Sequence, residues 1–202
     1  MFVLALVATF GYLHDSGAAR RTKEERSQQM NQRMVWFERS FTLDLPLWMY
    51  PNVVERVRGT PARLEDRLSV LPREILTKRD SDNWSIQEQA GHLLDLGTLD
   101  LGRLDDYEAG LATLRTADLK NRKTHEGDHN ANSIENILAE FRRERGEFVR
   151  RLDEFDAEFI ARIALHPRLQ LPMRVIDLVY FIAEHDDHHL ARINNLIRGF
   201  GP

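Results

Sequence analysis

The stretch MRVIDLVYFIAEHDDHHLARINNLI, from Met173 to Ile197, decides both the fold and the chemistry of this 202-residue chain. Its apolar residues recur at spacings of three and four, which predicts a long helix with one buried face. His185 and His189 stand four residues apart within it, so they lie about 40° apart around the axis and about 6 Å apart along it. Both fall on the apolar stripe, so we expect the two imidazoles to point into the protein. The stripe also carries Leu178, Ile182, Ile193 and Leu196.

Three further helical patterns precede this one, and no stretch has the alternation of a convincing strand. A capping box at Ser85, with Glu88 three residues on, marks the start of one of them. A short piece from Glu158 to Leu165 and a turn at His166-Pro167 precede the last helix. Four long helices joined by loops predict an all-α protein, a four-helix bundle. The expected helices run from about Leu47 to Val70, from Ser85 to about Glu108, from Ser133 past Leu152, and from Pro172 to Gly199.

The pair His185 and His189 is suited to a divalent metal ion. Each buried ring nitrogen needs a partner, and one ion satisfies both rings at once; histidines that only pack or face solvent are the alternative. His92, early in the second helix, is the natural third ligand. Three imidazoles leave an open position on the ion, as catalytic sites require. Imidazole ligands suit zinc, nickel, iron or copper.

The residues around these histidines are weaker candidates for a role at the metal site. His188 is expected to be a neighbour of the site and not a ligand. We interpret Asp186 and Asp187 as part of a solvated acidic surface. The alternative is that one of them fixes the tautomer of an imidazole. Asp95 lies one turn after His92 and is the candidate catalytic residue. It would hold a ligand or take a proton from a bound nucleophile.

A polar segment between Gly110 and Asn132 contains a second histidine pair at the same spacing, His125 and His129. Loops often carry function. The pair therefore predicts a lid or substrate-contacting loop over the metal, which makes both residues candidates for cofactor binding. A second metal site and a polar connector rich in turn and cap residues are the alternatives.

Composition narrows the possible functions. The net charge is −4, and Lys and Arg are scattered along the chain, so nucleic-acid binding has no electrostatic support. Cysteine is absent, which excludes disulfides, thiolate zinc ligands and a cysteine nucleophile. A reducing cytoplasm is compatible with this composition.

The first residues form a separate question. The apolar run of residues 1–13 is too short to cross a membrane, which needs about 20 residues, and no basic residue precedes it as in a signal peptide. We interpret residues 1–33 as an N-terminal extension, not native or poorly ordered, with Met34 as an alternative start. A short helix packing on the bundle is the alternative. Residues 34–202 are then the helical domain.

Two segments resemble the DinB/YfiT-like metalloenzymes. They are Trp84–Leu93, which contains His92 after a Trp-Ser-Ile helix start, and Glu184–Ile193, which contains the HxxxH pair. The resemblance implies an up-down-down-up four-helix bundle, often a dimer, in which His92, His185 and His189 bind one divalent metal ion. After His189 this chain has Leu-Ala-Arg, whereas Arg-x-Gln is frequent in the family. The resemblance therefore determines neither which residues support the metal ligands nor which substrate is used.

Members of this family with an assigned activity resemble S-transferases and isomerases that use bacillithiol, mycothiol or glutathione. The leading expectation is therefore a cytoplasmic enzyme that uses Zn, Ni or Fe to activate a low-molecular-weight thiol for transfer to a small-molecule substrate. Because the chain has no thiol of its own, the thiol would arrive as a cosubstrate. Metal-dependent hydrolysis and a non-catalytic bundle with a structural metal or none are the alternatives. We expect no nucleic acid, no membrane and a possible homodimer.

Overall fold

The computed structural model describes residues 35–200 of the chain. The chain divides into two compact units, residues 1–39 and 40–202. The described part of the first unit holds a single 3₁₀ turn, Trp36–Glu38. The predicted extension at residues 1–33, its alternative as a packing helix and the alternative start at Met34 lie outside the described residues. The division at residue 33 stays a prediction.

The second unit is a bundle of four helical segments. The first segment consists of α1 and α2, the second of α4 and α5, the third of α7 and the fourth of α9. Short helices and a two-stranded hairpin connect them. The helices are α1 (Tyr50–Arg58), α2 (Thr60–Leu68), α3 (Arg73–Leu76), α4 (Ile86–Asp95), α5 (Gly97–Glu108), α6 (Arg122–Glu126), α7 (Ile134–Asp153), α8 (Ala157–Ile160) and α9 (Val175–Phe200), and the strands are β1 (Ile163–His166) and β2 (Leu171–Arg174).

Two tyrosine hydroxyls show which segments run in opposite directions. Tyr50 opens the first segment and donates to the carbonyl of Leu152 at the end of the third, over 2.9 Å. Tyr107 lies at the end of the second segment and donates to the carbonyl of Met173, just before the fourth, over 2.7 Å. The first and third segments are therefore antiparallel, and so are the second and fourth.

The second and third segments run in the same direction. Gln87, near the start of the second, donates to the carbonyl of Asn132 before the third over 2.9 Å. Asp105, near the end of the second, pairs with Arg151 near the end of the third at 2.8 Å. In chain order the segments run up, down, down and up, which confirms the predicted topology. The first and second segments follow each other in the chain but lie diagonally across the bundle, because each packs on the third and the fourth.

Two of the predicted helices are interrupted. The first divides at Gly59, because Pro61 has no N–H to donate and its ring conflicts with the carbonyl four residues earlier. A proline is compatible with the first turn of a helix, so α2 begins there. The second divides at Leu96, before the weak helix former Gly97.

The hairpin of β1 and β2 corrects two expectations, that the chain has no strand and that the last helix begins at Pro172. Pro172 lies in β2 opposite Leu165, and α9 begins only at Val175. Gln170 turns the chain between the strands with φ +55° and donates its N–H to the carbonyl of His166 over 2.9 Å. Strands of four residues are too short for alternation to identify them.

The predicted capping box at Ser85 is present, with both of its hydrogen bonds formed to Glu88. The α4 helix that it starts packs into an apolar core between the four segments. Leu93 and Leu190, which follow His92 and His189, belong to this core, so the two histidines project from its edge on rigid helices. Within residues 35–200, none of the helices combines the length and apolar character of a membrane span.

Candidate metal centre

The structure brings the rings of His92, His185 and His189 together where α4 and α9 face each other. Ring centroids lie 5.4 Å apart for His92 and His185, 4.8 Å for His92 and His189, and 4.5 Å for the pair on α9. One potential ligand atom from each ring lies within 4.8 Å of the others. His92 and His189 are buried, and His185 is partly buried.

Hydrogen bonds on the far side of two rings determine which nitrogen faces the cluster. His92 contacts the hydroxyl of Thr124 through Nδ1, over 3.0 Å. His189 contacts the side-chain oxygen of Gln89 through Nδ1, over 2.6 Å. Because an amide oxygen only accepts, Nδ1 of His189 carries the proton, which leaves its Nε2 with a free lone pair. This arrangement, with a partner behind each ring, is typical of metal-ligating histidines.

The environment keeps all three imidazoles neutral. Burial lowers the pKa of His92 to about 4, and the positive potential of His129 and His125 contributes, opposed by Asp95. Burial and the other rings of the cluster hold the pKa of His185 and of His189 well below the usual value. Since a histidine binds a metal only when neutral, the cluster is ready to coordinate near neutral pH.

The spacing of the nitrogens fits a single ion. Two imidazole nitrogens at about 2.0–2.1 Å from a tetrahedral zinc ion are about 3.4 Å apart. Nε2 of His185 and Nε2 of His189 are 3.2 Å apart. A hydrogen bond between these two rings is the alternative to a shared ion. The third ring, that of His92, offers a nitrogen within 4.8 Å of both.

The charged neighbours on α9 differ from the expectation of a solvated acidic surface. Asp186 is only 1% exposed and accepts hydrogen bonds from Thr60, at 2.8 Å, and from Arg145, at 3.1 Å. Asp187 is partly buried and bridges Arg56 and Arg63 of the first segment. The two carboxylates tie α9 to the bundle. The ring of His188 lies 5.4 Å from that of His189, and His188 is not in the ligand group, in line with its prediction as a neighbour.

The loop histidines take two different places. His129 is buried and its Nε2 lies 2.8 Å from the carboxylate of Asp95. His125 is exposed, and its ring lies 5.5 Å from that of Trp84, which itself packs on His92 at 4.7 Å. In the part of the chain that the structure describes, grouped ligand side chains form one cluster, which includes neither loop histidine. Their role in cofactor binding stays a prediction, as does catalysis by Asp95.

Gly91, directly before His92, lies where the polar segment between Gly110 and Asn132 comes close to α4, so this position has no space for a side chain. A Cβ at this position would lie 2.2 Å from Cγ of His129. We therefore expect Gly91→Ala to displace the loop and to lower the free energy of unfolding by about 1–2 kcal/mol, the cost of overpacking less the gain in helix propensity. Urea denaturation measures it. Gly146→Ala is the control, because Gly146 is exposed on α7 with nothing near its Cβ, and it should stabilise by about 0.5–1 kcal/mol. Equal stability of the two variants would contradict this contact.

Sequence reasoning missed two polar residues at the site, Gln89 and Thr124. Gln89 is 1% exposed and Thr124 is 4% exposed, so each needs a hydrogen-bond partner. The position of Gln89 one turn before His92 was a signal in the sequence, because both residues fall on one side of α4. Thr124 gave no comparable signal.

Comparison with known proteins now places the chain. The family model of the DinB superfamily matches residues 56–193, which include all three clustered histidines. The solved structure of YfiT from Bacillus subtilis is similar, with a TM-score of 0.68 at 17% sequence identity, over 81% of this chain and 94% of that one. YfiT is described as "a probable metal-dependent hydrolase with an unusual four-helix bundle topology". No curated protein gives a significant sequence match. This chain belongs to the DinB superfamily.

Proposed function

We propose that this chain is a metal-dependent enzyme that holds one divalent ion on His92, His185 and His189. The observation that carries the proposal is the convergence of three neutral imidazoles from two helices distant in sequence. When bound, such an ion would act as a Lewis acid that lowers the pKa of a coordinated water or thiol. Zn²⁺, Ni²⁺ and Fe²⁺ all accept imidazole ligands.

The side chains around the cluster have separate tasks in this proposal. Gln89 and Thr124 hold two of the rings from behind, so the nitrogens do not reorganise during a reaction. Trp84 is partly buried and packs on His92, which limits the access of water from that side. Charge that develops on a substrate would therefore be stabilised in a largely dry environment, where electrostatic effects are strong.

The number of protein ligands favours a catalytic ion over a structural one. Structural zinc sites are closed by four protein ligands, whereas catalytic sites have three and an open position. Among the residues that the structure describes, the ligand group has three members. The open position would accept the nucleophile.

Hydrolysis is the reaction that we propose first, because water requires no cosubstrate and because YfiT is described as a "probable metal-dependent hydrolase". Transfer of a low-molecular-weight thiol to a small electrophile is the second candidate, and it rests on the resemblance to thiol-dependent transferases. The chain has no cysteine, so bacillithiol, mycothiol or glutathione would supply the sulfur. A small-molecule substrate, a homodimer and a cytoplasmic location stay predictions.

Substitution with Co²⁺ tests the proposal, because the visible spectrum of this ion reports its ligands. We expect one Co²⁺ per chain, and a spectrum that changes when azide or glutathione is added to the open position. The loaded protein should then turn over activated esters, or conjugate a thiol to an electrophilic dye, and His185→Ala should abolish either activity. A spectrum that neither probe changes would indicate a closed structural site and contradict the proposal. So would turnover that survives His185→Ala.

A further inference from the structure

We propose that Thr124 and Asp95 are positioning residues that fix His92 in the tautomer whose Nε2 faces the metal ion. This inference deepens the proposed function and rests on it. It gives the polar segment after Gly110 a defined role, since Thr124 lies on α6 within that segment. It also gives Asp95 a role that differs from direct proton transfer.

The contact between Thr124 and His92 is buried. Oγ1 of Thr124 lies 3.0 Å from Nδ1 of His92, and both residues are 4% exposed, so water does not replace this hydrogen bond. A hydroxyl has one proton to donate and two lone pairs. The direction of the hydrogen bond therefore depends on where the Thr124 proton goes.

Asp95 determines that direction. A side-chain hydrogen bond from Thr124 is among the causes that lower the pKa of Asp95, and His129 holds the same carboxylate against the loop at 2.8 Å. Although burial raises the pKa of Asp95, hydrogen bonds from His129 and Thr124 outweigh it and lower the pKa overall. An ionised carboxylate only accepts. The Thr124 proton then points to Asp95 and a lone pair of Oγ1 faces His92, so Nδ1 of His92 must carry a proton and Nε2 is free to coordinate.

Asp95 is itself held in place from two sides. Nε2 of His129 lies 2.8 Å from one carboxylate oxygen, and the ammonium group of Lys123 lies 3.7 Å from the other. The ring of His129 rests on the backbone at Gly91, where a Cβ would collide with it. Gln87 donates to the carbonyl of His129 over 2.5 Å, which fastens the same part of the loop to α4.

The arrangement has a parallel on the other helix, where Gln89 fixes the tautomer of His189 through Nδ1. Both buried ligands thus present Nε2 for the same reason, a partner behind the ring. Loss of such a partner costs about 10–100-fold in metal affinity. We expect this loss for Thr124→Val, which keeps the shape of the side chain and removes the hydroxyl.

Long-range ¹H–¹⁵N NMR of the metal-free protein tests the inference, because the ring ¹⁵N shifts report the tautomer. His92 should be protonated on Nδ1 in the wild type, should lose this preference in Thr124→Val and should regain it in Thr124→Ser. Asp95→Ala removes the acceptor of the Thr124 proton, so His92 should lose its preference for a proton on Nδ1 in this variant as well. Thr98→Val, at an exposed threonine after α4, is the control and should change nothing.

Metal affinity provides the second readout. Zn²⁺ titration against a chromophoric chelator should show about 10–100-fold weaker binding for Thr124→Val, near wild-type binding for Thr124→Ser, and an unchanged melting profile for the latter. A wild-type His92 protonated on Nε2, or unchanged tautomer and affinity in Thr124→Val, would overturn the inference. If the wild type binds no metal, the proposed function fails, while the tautomer experiment still decides the role of Thr124 and Asp95.

Discussion

His185→Ala is expected to lower the affinity of the protein for Zn²⁺ by about 100-fold or more. Four-ligand zinc sites bind with about 10–16 kcal/mol, so the loss of one ligand removes about 3 kcal/mol. The remaining rings of His92 and His189 would be left with a two-coordinate ion that depends on water for its other positions. Metal content after dialysis, together with competition against a chelator, measures the change.

His188→Asn is the matched control for this prediction. The ring of His188 lies 5.4 Å from that of His189 but outside the ligand group, so its loss should change the affinity by less than about threefold. Equal metal content in the wild type and in His185→Ala would contradict the prediction. An equal loss in both variants would instead indicate a binding site that depends on general charge and not on the three rings.

Arg145→Met is expected to cost about 3–5 kcal/mol in the free energy of unfolding. The guanidinium of Arg145 is 5% exposed and lies 3.1 Å from Asp186 and 4.0 Å from Asp100, both buried. Removal of the cation that contacts both buried carboxylates leaves Asp100 with Arg103 and Asp186 with Arg63 as weaker compensation, which is the costly way to break a buried ion pair. For a domain of this size the melting temperature should fall by about 10 °C.

The pH dependence of the stability of Arg145→Met tests whether the buried carboxylates cause the loss. Burial already raises the pKa of Asp100 to about 7, and the loss of Arg145 would raise it further. A carboxyl whose pKa is higher in the folded state than in the unfolded state destabilises the fold as pH rises, so the deficit should be smaller at pH 5 than at pH 8. Arg143→Met, at an exposed arginine on the same helix, should stay within about 0.5 kcal/mol of the wild type. A deficit independent of pH would contradict the assigned cause.

The helices could be predicted because their signals are local. The capping box at Ser85 and the apolar stripe of α9 each depend on residues within a few turns, and the structure has both. The convergence of His92 with the pair on α9 was predicted from the chemistry of the residues, together with the family resemblance. By contrast, β1 and β2 are stabilised by pairing with each other, and four residues are too few to show a period.

The surroundings of the site depend on residues far apart in the chain, so sequence alone could not assign them. Asp186 was expected in solvent but is buried by Thr60, which is 126 residues away, and by Arg145. The hydroxyl of Thr124 meets His92 from 32 residues away, on a helix of only five residues. These contacts exist only once the bundle places the loop against α4.

The central claim is that three imidazole nitrogens from two helices hold a single ion, and crystallographic anomalous scattering tests it most directly. An anomalous-difference map from crystals of the zinc-loaded protein should show one peak about 2.0–2.1 Å from Nε2 of His92, His185 and His189. A peak coordinated by the α9 pair without His92, or no peak between α4 and α9, would contradict the claim.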